Sequence, residues 1–328
     1  MRTPYLIAEI GVNHDGDRAR AVGLAQAAAA AGFDAVKLQH WVVEELLAPS
    51  APNAAYQGEG DQHQLLAPLL LSVADQVAVR DACRAAGVDY GCTPDGPLAY
   101  QQVIGTEPDF MKIGSGDADN PWLLDLAVTS DIPLIISTGM ATDAEVGAIA
   151  GRVAAHPDVT FLHCVSAYPT PLAASNLARM TRLAALTNRP VGWSDHTLGV
   201  DAAVAAVALG AVVIEKHVTD DVTRPGPDHA MSLPLAQAAE WVTTVRAARD
   251  AVTSEATEQA ELDNRQLVRK ALYPVRELPA GHVLAEDDLV ALRPLLDGLP
   301  AMARDRVVGR ALARPVSASE PVRDGDLR

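Results

Sequence analysis

The sequence predicts a (β/α)8 barrel followed by a small, mostly β domain. Three observations carry this. Short β-rich runs alternate with alanine-rich helical stretches along the first 250 residues or so, about the length such a barrel needs. Several of the runs are apolar on both faces, as expected of a parallel sheet covered by helices. Nearly every run ends in reactive or charged residues, and a barrel of this kind builds its active site at the C-terminal ends of its strands.

Taken in order, strands are expected over residues 5–10, 35–39, 88–93, 110–113, 134–137, 160–165, 191–193 and 211–216. Helical segments fall between them, among them 18–31, 73–86, 144–155, 177–185 and 202–209. An open doubly wound sheet is the alternative. It loses because no GxGxxG follows the first strand. Residues 50–63 form a long connection containing Gly, Pro and Asn, read either as a lid or as a solvated excursion. The barrel domain is expected over 1–252 and a polar, acidic linker over 253–265. The small β domain follows over 266–328. Within it PAGHVLAEDDL (279–289) and SASEPVRDGDL (317–327) have equal length and the same closing Asp-Leu, a faint internal repeat.

Composition bounds the function. Forty-nine per cent apolar residues and a mean hydropathy of +0.08 supply a buried core, so extended disorder is not expected. A formal charge of −16 argues against a nucleic-acid backbone as partner, because that needs clustered Lys and Arg. It leaves a locally basic pocket for a small anion open. Cys83, Cys92 and Cys164 are odd in number and widely spaced, so a disulfide framework or thiolate zinc site is not expected. The N-terminal apolar run is too short for a signal peptide, and no long apolar span follows. A cytoplasmic protein without membrane contact is the expectation.

The polar residues at the strand ends define the candidate site. Glu9 closes the first strand; Lys37 and Gln39 lie on the second and Thr93 ends the third. Lys112, Ser115 and Asp117 follow from the fourth, Ser137 from the fifth and Tyr168 from beyond the sixth. Only four lysines exist, Lys37, Lys112, Lys216 and Lys270, and three stand at expected strand ends. A compact ammonium in a pocket suits a phosphate or carboxylate, or a Schiff base if its pKa is lowered; rim salt bridges are the bland alternative. Thr93, Ser115 and Ser137 complete an anion pocket for a phosphate-bearing substrate. His217 and His229 flank a Pro/Gly loop and are the candidate metal pair, although their spacing matches no recognised ligand pattern and structural histidines are commoner. His14 and His196 are further rim residues that could equally brace loops.

These residues sit in motifs that resemble the sialic acid (N-acetylneuraminate) synthase family nearly end to end. The motifs are AEIGVNHDGD, AVKLQ, KIGSGDADN, ISTGMA, LHCVSAYPTP, GWSDHTLG, EKHVTDD and GPDHAMSL. RKALYPVRELPAGHVLAEDDLVALRP and VVGRALARPV look like the antifreeze-like SAF domain that follows the barrel in this family. The resemblance implies condensation of phosphoenolpyruvate (PEP) with an open-chain N-acylated amino sugar. A divalent cation, Mn2+ or Mg2+, would be held by His217 and His229. It implies PEP on Lys37, Thr93, Lys112, Ser115 and Ser137, with Glu9, Lys112 and His217 catalytic. Gln39, Asp117 and Tyr168 would meet the sugar. Arg293 would reach it from the SAF domain of the second chain of a homodimer. The chain departs from the family at Asp117, often Glu; at Ala167, often Asn; at Asp95-Gly96, usually Phe-Asp; and after Arg293-Pro294, where LLDGLP is one residue longer. Neuraminate, legionaminate, pseudaminate or a specialised sugar acid all remain open as products. A Schiff-base aldolase and a non-catalytic sugar-binding protein are the competing readings.

Overall fold

The structure, a computed structural model, describes residues 3–48, 62–254 and 258–328. The chain divides into two compact units, residues 1–253 and 254–328.

In the first unit the elements run β1 (Tyr5–Glu9), α1 (Arg18–Ala31), β2 (Ala35–Trp41), α2 (Val43–Leu46), α3 (Gln62–Leu66), α4 (Val73–Ala86), β3 (Asp89–Asp95), α5 (Pro97–Ile104) and β4 (Phe110–Ile113). They continue with α6 (Pro121–Ala127), β5 (Leu134–Ser137), α7 (Asp143–Arg152), β6 (Val159–Cys164), α8 (Arg179–Thr187), β7 (Val191–Asp195), α9 (Asp201–Ala208), β8 (Val213–Thr219), β9 (Leu233–Pro234) and α10 (Leu235–Thr253). Strands β1 to β8 are parallel neighbours in sequence order, and β8 pairs back onto β1 from Tyr5↔Val213 to Glu9↔His217. The sheet is therefore a closed eight-stranded barrel, as expected from the sequence. β9 only extends the end of β8.

Local chemistry sets the helix ends. Asp17 caps α1 by accepting from the Arg20 N–H, and Gly32 ends it at φ 96° with its own N–H returned to Ala28 and Ala29. Ser72 and Gly87 do the same for α4. Thr142 and Glu145 form a reciprocal capping box on α7.

Strand alternation builds the interior. Ile7, Ala35, Phe110, Ile135, Leu162 and Val213 form a buried apolar cluster that plugs the barrel. The Phe110 ring fills the space where a Cβ at Gly91 would stand, so glycine is required there. Two residues further along those strands come Glu9, Lys37, Lys112, Ser137, Cys164 and Glu215, on the same face by the period of two. The interior thus changes from dry to polar within one layer. On the outer face Leu6, Ala8, Val36 and Leu38 join the main core with α1 residues such as Leu24 and Ala28.

The second unit contains α11 (Gln259–Val268), a two-stranded antiparallel sheet of β10 (Ala271–Pro274) and β11 (Leu289–Leu292), and α12 (Arg304–Val307). Its core includes Leu272, Leu278, Leu284, Val307, Leu312, Val316 and Val322. The faint repeat is structural. Asp288 accepts from the Ala285 N–H and pairs with Arg276 at 2.7 Å; Asp326 accepts from the Arg323 N–H and pairs with Arg314 at 2.6 Å. Each aspartate therefore closes one tight turn and anchors one arginine twelve residues upstream.

The expected linker differs. Residues from Gln259 onward form α11, because Gln, Ala, Glu and Leu are good helix formers even when every residue is exposed. Of the expected lid, residues 50–61 lie outside the described residues, and Gln62 already opens α3. Among the described residues no helix is long and apolar enough to cross a membrane.

Candidate active site

A cavity of about 560 Å3 opens at the C-terminal end of the barrel strands. Nine of the residues expected from the sequence line it: Glu9, Lys37, Gln39, Thr93, Lys112, Ser115, Ser137, Tyr168 and His217. Asp95, Ser194, His196, Glu215 and Asp228 join them.

The floor is a buried ionic network. Lys37 donates to Glu9 and to Thr93 Oγ1 at 2.6 Å, and its Nζ lies 3.9 Å from Glu215 Oε2. Lys112 donates to Glu215 Oε1 at 2.5 Å, and Ser194 Oγ donates to the same oxygen at 3.0 Å. Glu9 Oε1 accepts from the Gly11 N–H at 2.7 Å. Burial works on every charge here. It pushes the Lys37 ammonium down to about 8, against the pull of Glu215. It opposes ionisation of Glu215 too, but Lys112 and Lys37 outweigh it and hold that carboxyl well below its ordinary value. An ammonium carries three donors; Lys37 commits two and Lys112 one, so both retain N–H groups for an anion.

Above the floor stand two imidazoles. The His196 and His217 rings lie 5.6 Å apart between centroids. Burial lowers His196 to about 4 and His217 well below its usual value, so both are neutral near pH 7. His196 Nδ1 is 2.8 Å from the Val165 carbonyl, which makes Nδ1 the donor and leaves Nε2 with its lone pair. The buried His217 Nδ1 has no hydrogen-bond partner among the described residues; Asp228 Oδ2 is 3.4 Å away without hydrogen-bond geometry. Ser137 Oγ and Glu215 Oε2, on the same cavity, are also buried without a hydrogen-bond partner among the described residues. Such atoms are uncommon in native interiors and mark where a bound molecule would complete the network.

Two expected site residues, His229 and Asp117, do not line the cavity, and a third, Arg293, belongs to the second unit. His229, expected to pair with His217, does not line the cavity: Thr219 Oγ1 lies 2.8 Å from its Nδ1 and Asp15 Oδ1 lies 3.0 Å from its Nε2, so both ring nitrogens are engaged. It closes a clasp in which Asp15 also receives Arg20 and Arg224. Asp117 does not line the cavity and accepts from Asn120 at 2.9 Å. Arg293 belongs to the second unit, where it is exposed. Lys216, a third strand-end lysine, faces the other side of β8 and pairs with Asp195 at 3.0 Å and with the Thr197 carbonyl.

Glu215 and His196 line the cavity although the sequence alone gives neither a role. The signal for Glu215 was present: it shares the parity of His217 on β8. The pairing of His196 with His217 needed the barrel, because the two rings come from adjacent strands.

Two imidazoles with available nitrogens are a fit donor set for a divalent first-row cation, with coordination positions left for substrate oxygens. Among the described residues no group of three or more His, Cys, Asp or Glu side chains makes a metal site.

Comparison with known proteins agrees with this architecture. The NeuB family model matches residues 24–257 and the SAF domain model residues 269–328. The N,N'-diacetyllegionaminic acid synthase of Legionella pneumophila is 34% identical, over 96% of this chain and 92% of its own length. The enzyme of the same name from Campylobacter jejuni is 31% identical, over 99% and 100%. The crystal structure of the N-acetylneuraminic acid synthetase from Leptospira borgpetersenii, in complex with citrate, superposes with a TM-score of 0.71 at 27% identity, over 80% of this chain and 92% of that one. The chain belongs to the NeuB family and carries a SAF domain.

Proposed function

We propose that this sugar acid synthase condenses PEP with the aldehyde of an open-chain N-acylated amino sugar, giving a 2-keto sugar acid and phosphate. The observation that carries the reading is the layering of one cavity: two buried lysines with spare donors beneath two neutral imidazoles.

Lys37 and Lys112 hold the phosphate and carboxylate of PEP, assisted by Thr93, Ser115 and the unpartnered Ser137 hydroxyl. Fixed cations in a dry site stabilise charge on the phosphate-bearing intermediate without reorganising. The alkene electrons of PEP form the new bond from C3 to the aldehyde carbon, and the aldehyde oxygen takes a proton. Water adds at C2 and loses a proton. The C2–O bond to phosphate then breaks, its electrons leave with phosphate, and C2 becomes the ketone. Glu9 is held by Lys37 and the Gly11 N–H at the cavity floor, in position to orient that water or take its proton. Glu215 Oε2 is available to a sugar hydroxyl or the same water.

A divalent cation, Mn2+ or Mg2+, would be held by His217 with His196 and would supply Lewis-acid polarisation of the aldehyde. Gln39 and Tyr168 border the cavity where the sugar chain would extend. Asp117 and Arg293 remain proposed sugar contacts, Arg293 from a second copy of this chain in a homodimer.

The test is incubation with PEP, Mn2+ and a panel of N-acyl hexosamines and diacetamido-trideoxyhexoses, read by mass spectrometry. A product extended by three carbons together with phosphate is expected. Neither appearing with any sugar would reject the reading.

A further inference from the structure

The geometry points to Asp95 as a residue that selects the acceptor sugar, by accepting an N–H from a nitrogen-bearing substituent; this rests on the condensation reading above. Asp95 is the last residue of β3 and lines the cavity two positions beyond Thr93. Its carboxyl makes no hydrogen bond or ion pair with the described residues.

Two structural duties that would explain an acid here are already filled. An aspartate at the start of a helix ordinarily caps it. Here Glu45 caps α5 instead, accepting from Leu98 N–H at 2.9 and 3.1 Å and from Ala99 N–H at 3.4 Å. Gly96, at φ 104°, is what admits it: a Cβ there would stand 2.5 Å from Glu45 Oε2. Nor is Asp95 the counter-ion of a lysine. Lys37 is taken by Glu9 and Thr93, and Lys112 by Glu215.

The carboxyl instead overhangs Gly114, where an added Cβ would come 3.7 Å from Asp95 Oδ1. Burial first, and then Asp117, raise the Asp95 carboxyl to about 7. Lys37 and Lys112 oppose that rise without donating to the carboxyl, so an acceptor that no described residue satisfies favours a group that only donates. A hydroxyl presents lone pairs as well as a proton, whereas an ammonium or an amide N–H presents only donors on the nitrogen.

The experiment is titration calorimetry without metal, using mannose, mannosamine and N-acetylmannosamine as probes on the full chain, Asp95→Leu and Asp95→Asn. The wild-type chain should bind one or both nitrogen-bearing sugars roughly tenfold or more tightly than mannose, the order expected for a hydrogen bond to a charged group. Asp95→Leu should erase that preference without weakening PEP binding, since the lost negative charge acts on Lys37 and Lys112 and its removal favours an anion there. Asp95→Asn separates the donors: a preference for mannosamine is lost with the charge, and one for N-acetylmannosamine survives on the amide carbonyl. If Asp95→Leu does not fold, the near-isosteric Asp95→Asn decides through the mannosamine arm. No wild-type preference, a preference that survives Asp95→Leu, or PEP affinity that falls in parallel overturns the assignment. Phosphate release from PEP, run alongside, separates the two readings. Its absence with every sugar, while the preference persists, rejects the condensation and leaves Asp95 as the selector of a sugar ligand.

Discussion

Replacing Lys216 and Lys112 by methionine should produce opposite failures, because the two lysines face opposite sides of the barrel wall. Lys216 is 1% exposed and its partner Asp195 is fully buried. Methionine fills the stem but leaves Asp195 Oδ2 and the Thr197 carbonyl without their donor. Breaking a buried pair from one side costs about 3–5 kcal/mol. Asp195 Oδ1 keeps the Thr197 N–H at 2.9 Å and the Thr197 hydroxyl at 2.7 Å, so the lower end, about 3 kcal/mol, is expected. For Lys112→Met the orphan is Glu215, which keeps the Ser194 hydroxyl at 3.0 Å and Lys37 at 3.9 Å. Its loss of stability should be about 1–2 kcal/mol, with phosphate release abolished. Urea unfolding followed by tryptophan fluorescence is the assay. Trp41, Trp122, Trp193 and Trp241 all belong to the first unit, so the signal reports the barrel. Folded Lys216→Met should retain phosphate release within about tenfold of wild type, a barrier change near 1.4 kcal/mol. A Lys216→Met barrel as stable as wild type would refute the assignment of Lys216 to a structural pair. So would turnover lost as fully as in Lys112→Met at equal folded fraction.

Three further outcomes follow from the same geometry. Burial holds Lys37 at about 8, so its charge is present below that pH and lost above it; PEP KM should rise as pH passes through about 8, and a flat profile to pH 9.5 or so would remove Lys37 from anion binding. The sign for stability is the reverse: the folded state binds fewer protons than the unfolded one between about 8 and the ordinary lysine value, so this residue's burial cost is relieved as pH rises there. His196→Ala should abolish Mn2+ binding measured by electron paramagnetic resonance, whereas His229→Ala should keep it and loosen only the Asp15 clasp; the opposite pattern would restore His229 as the ligand. Arg293→Ala should raise the sugar KM far more than the PEP KM, and equal effects would reject the proposed contact from a second chain.

Much of the barrel was legible in the sequence. Residues 110–113 and 134–137 are strands as expected, because each is a short apolar run between turn residues. β2 and β8 run further than expected, to Trp41 and Thr219, since polar and aromatic residues at a cavity rim read as loop until pairing is known. The lysine floor was legible because Lys37 and Lys112 follow apolar plug residues by two positions. Lys216 stands at a strand end like them, but alternation with Glu215 and His217 places it on the outer side. The closeness of His196 to His217 was not legible, because the two residues are 21 apart in sequence and only the pairing of β7 with β8 brings their rings to 5.6 Å. The Asp288 and Asp326 turns show the converse, a faint repeat whose shared Asp-Leu marked a real pair of anchors.

The central claim is that carbon–carbon bond formation is followed by water addition at C2 and loss of phosphate from that carbon. PEP labelled with 18O in the bridging C2–O position tests it directly, with phosphate and sugar acid each analysed by mass spectrometry. The label should leave entirely with phosphate. Label retained in the sugar acid, or borohydride trapping of a substrate on Lys37 in place of phosphate release, would contradict it.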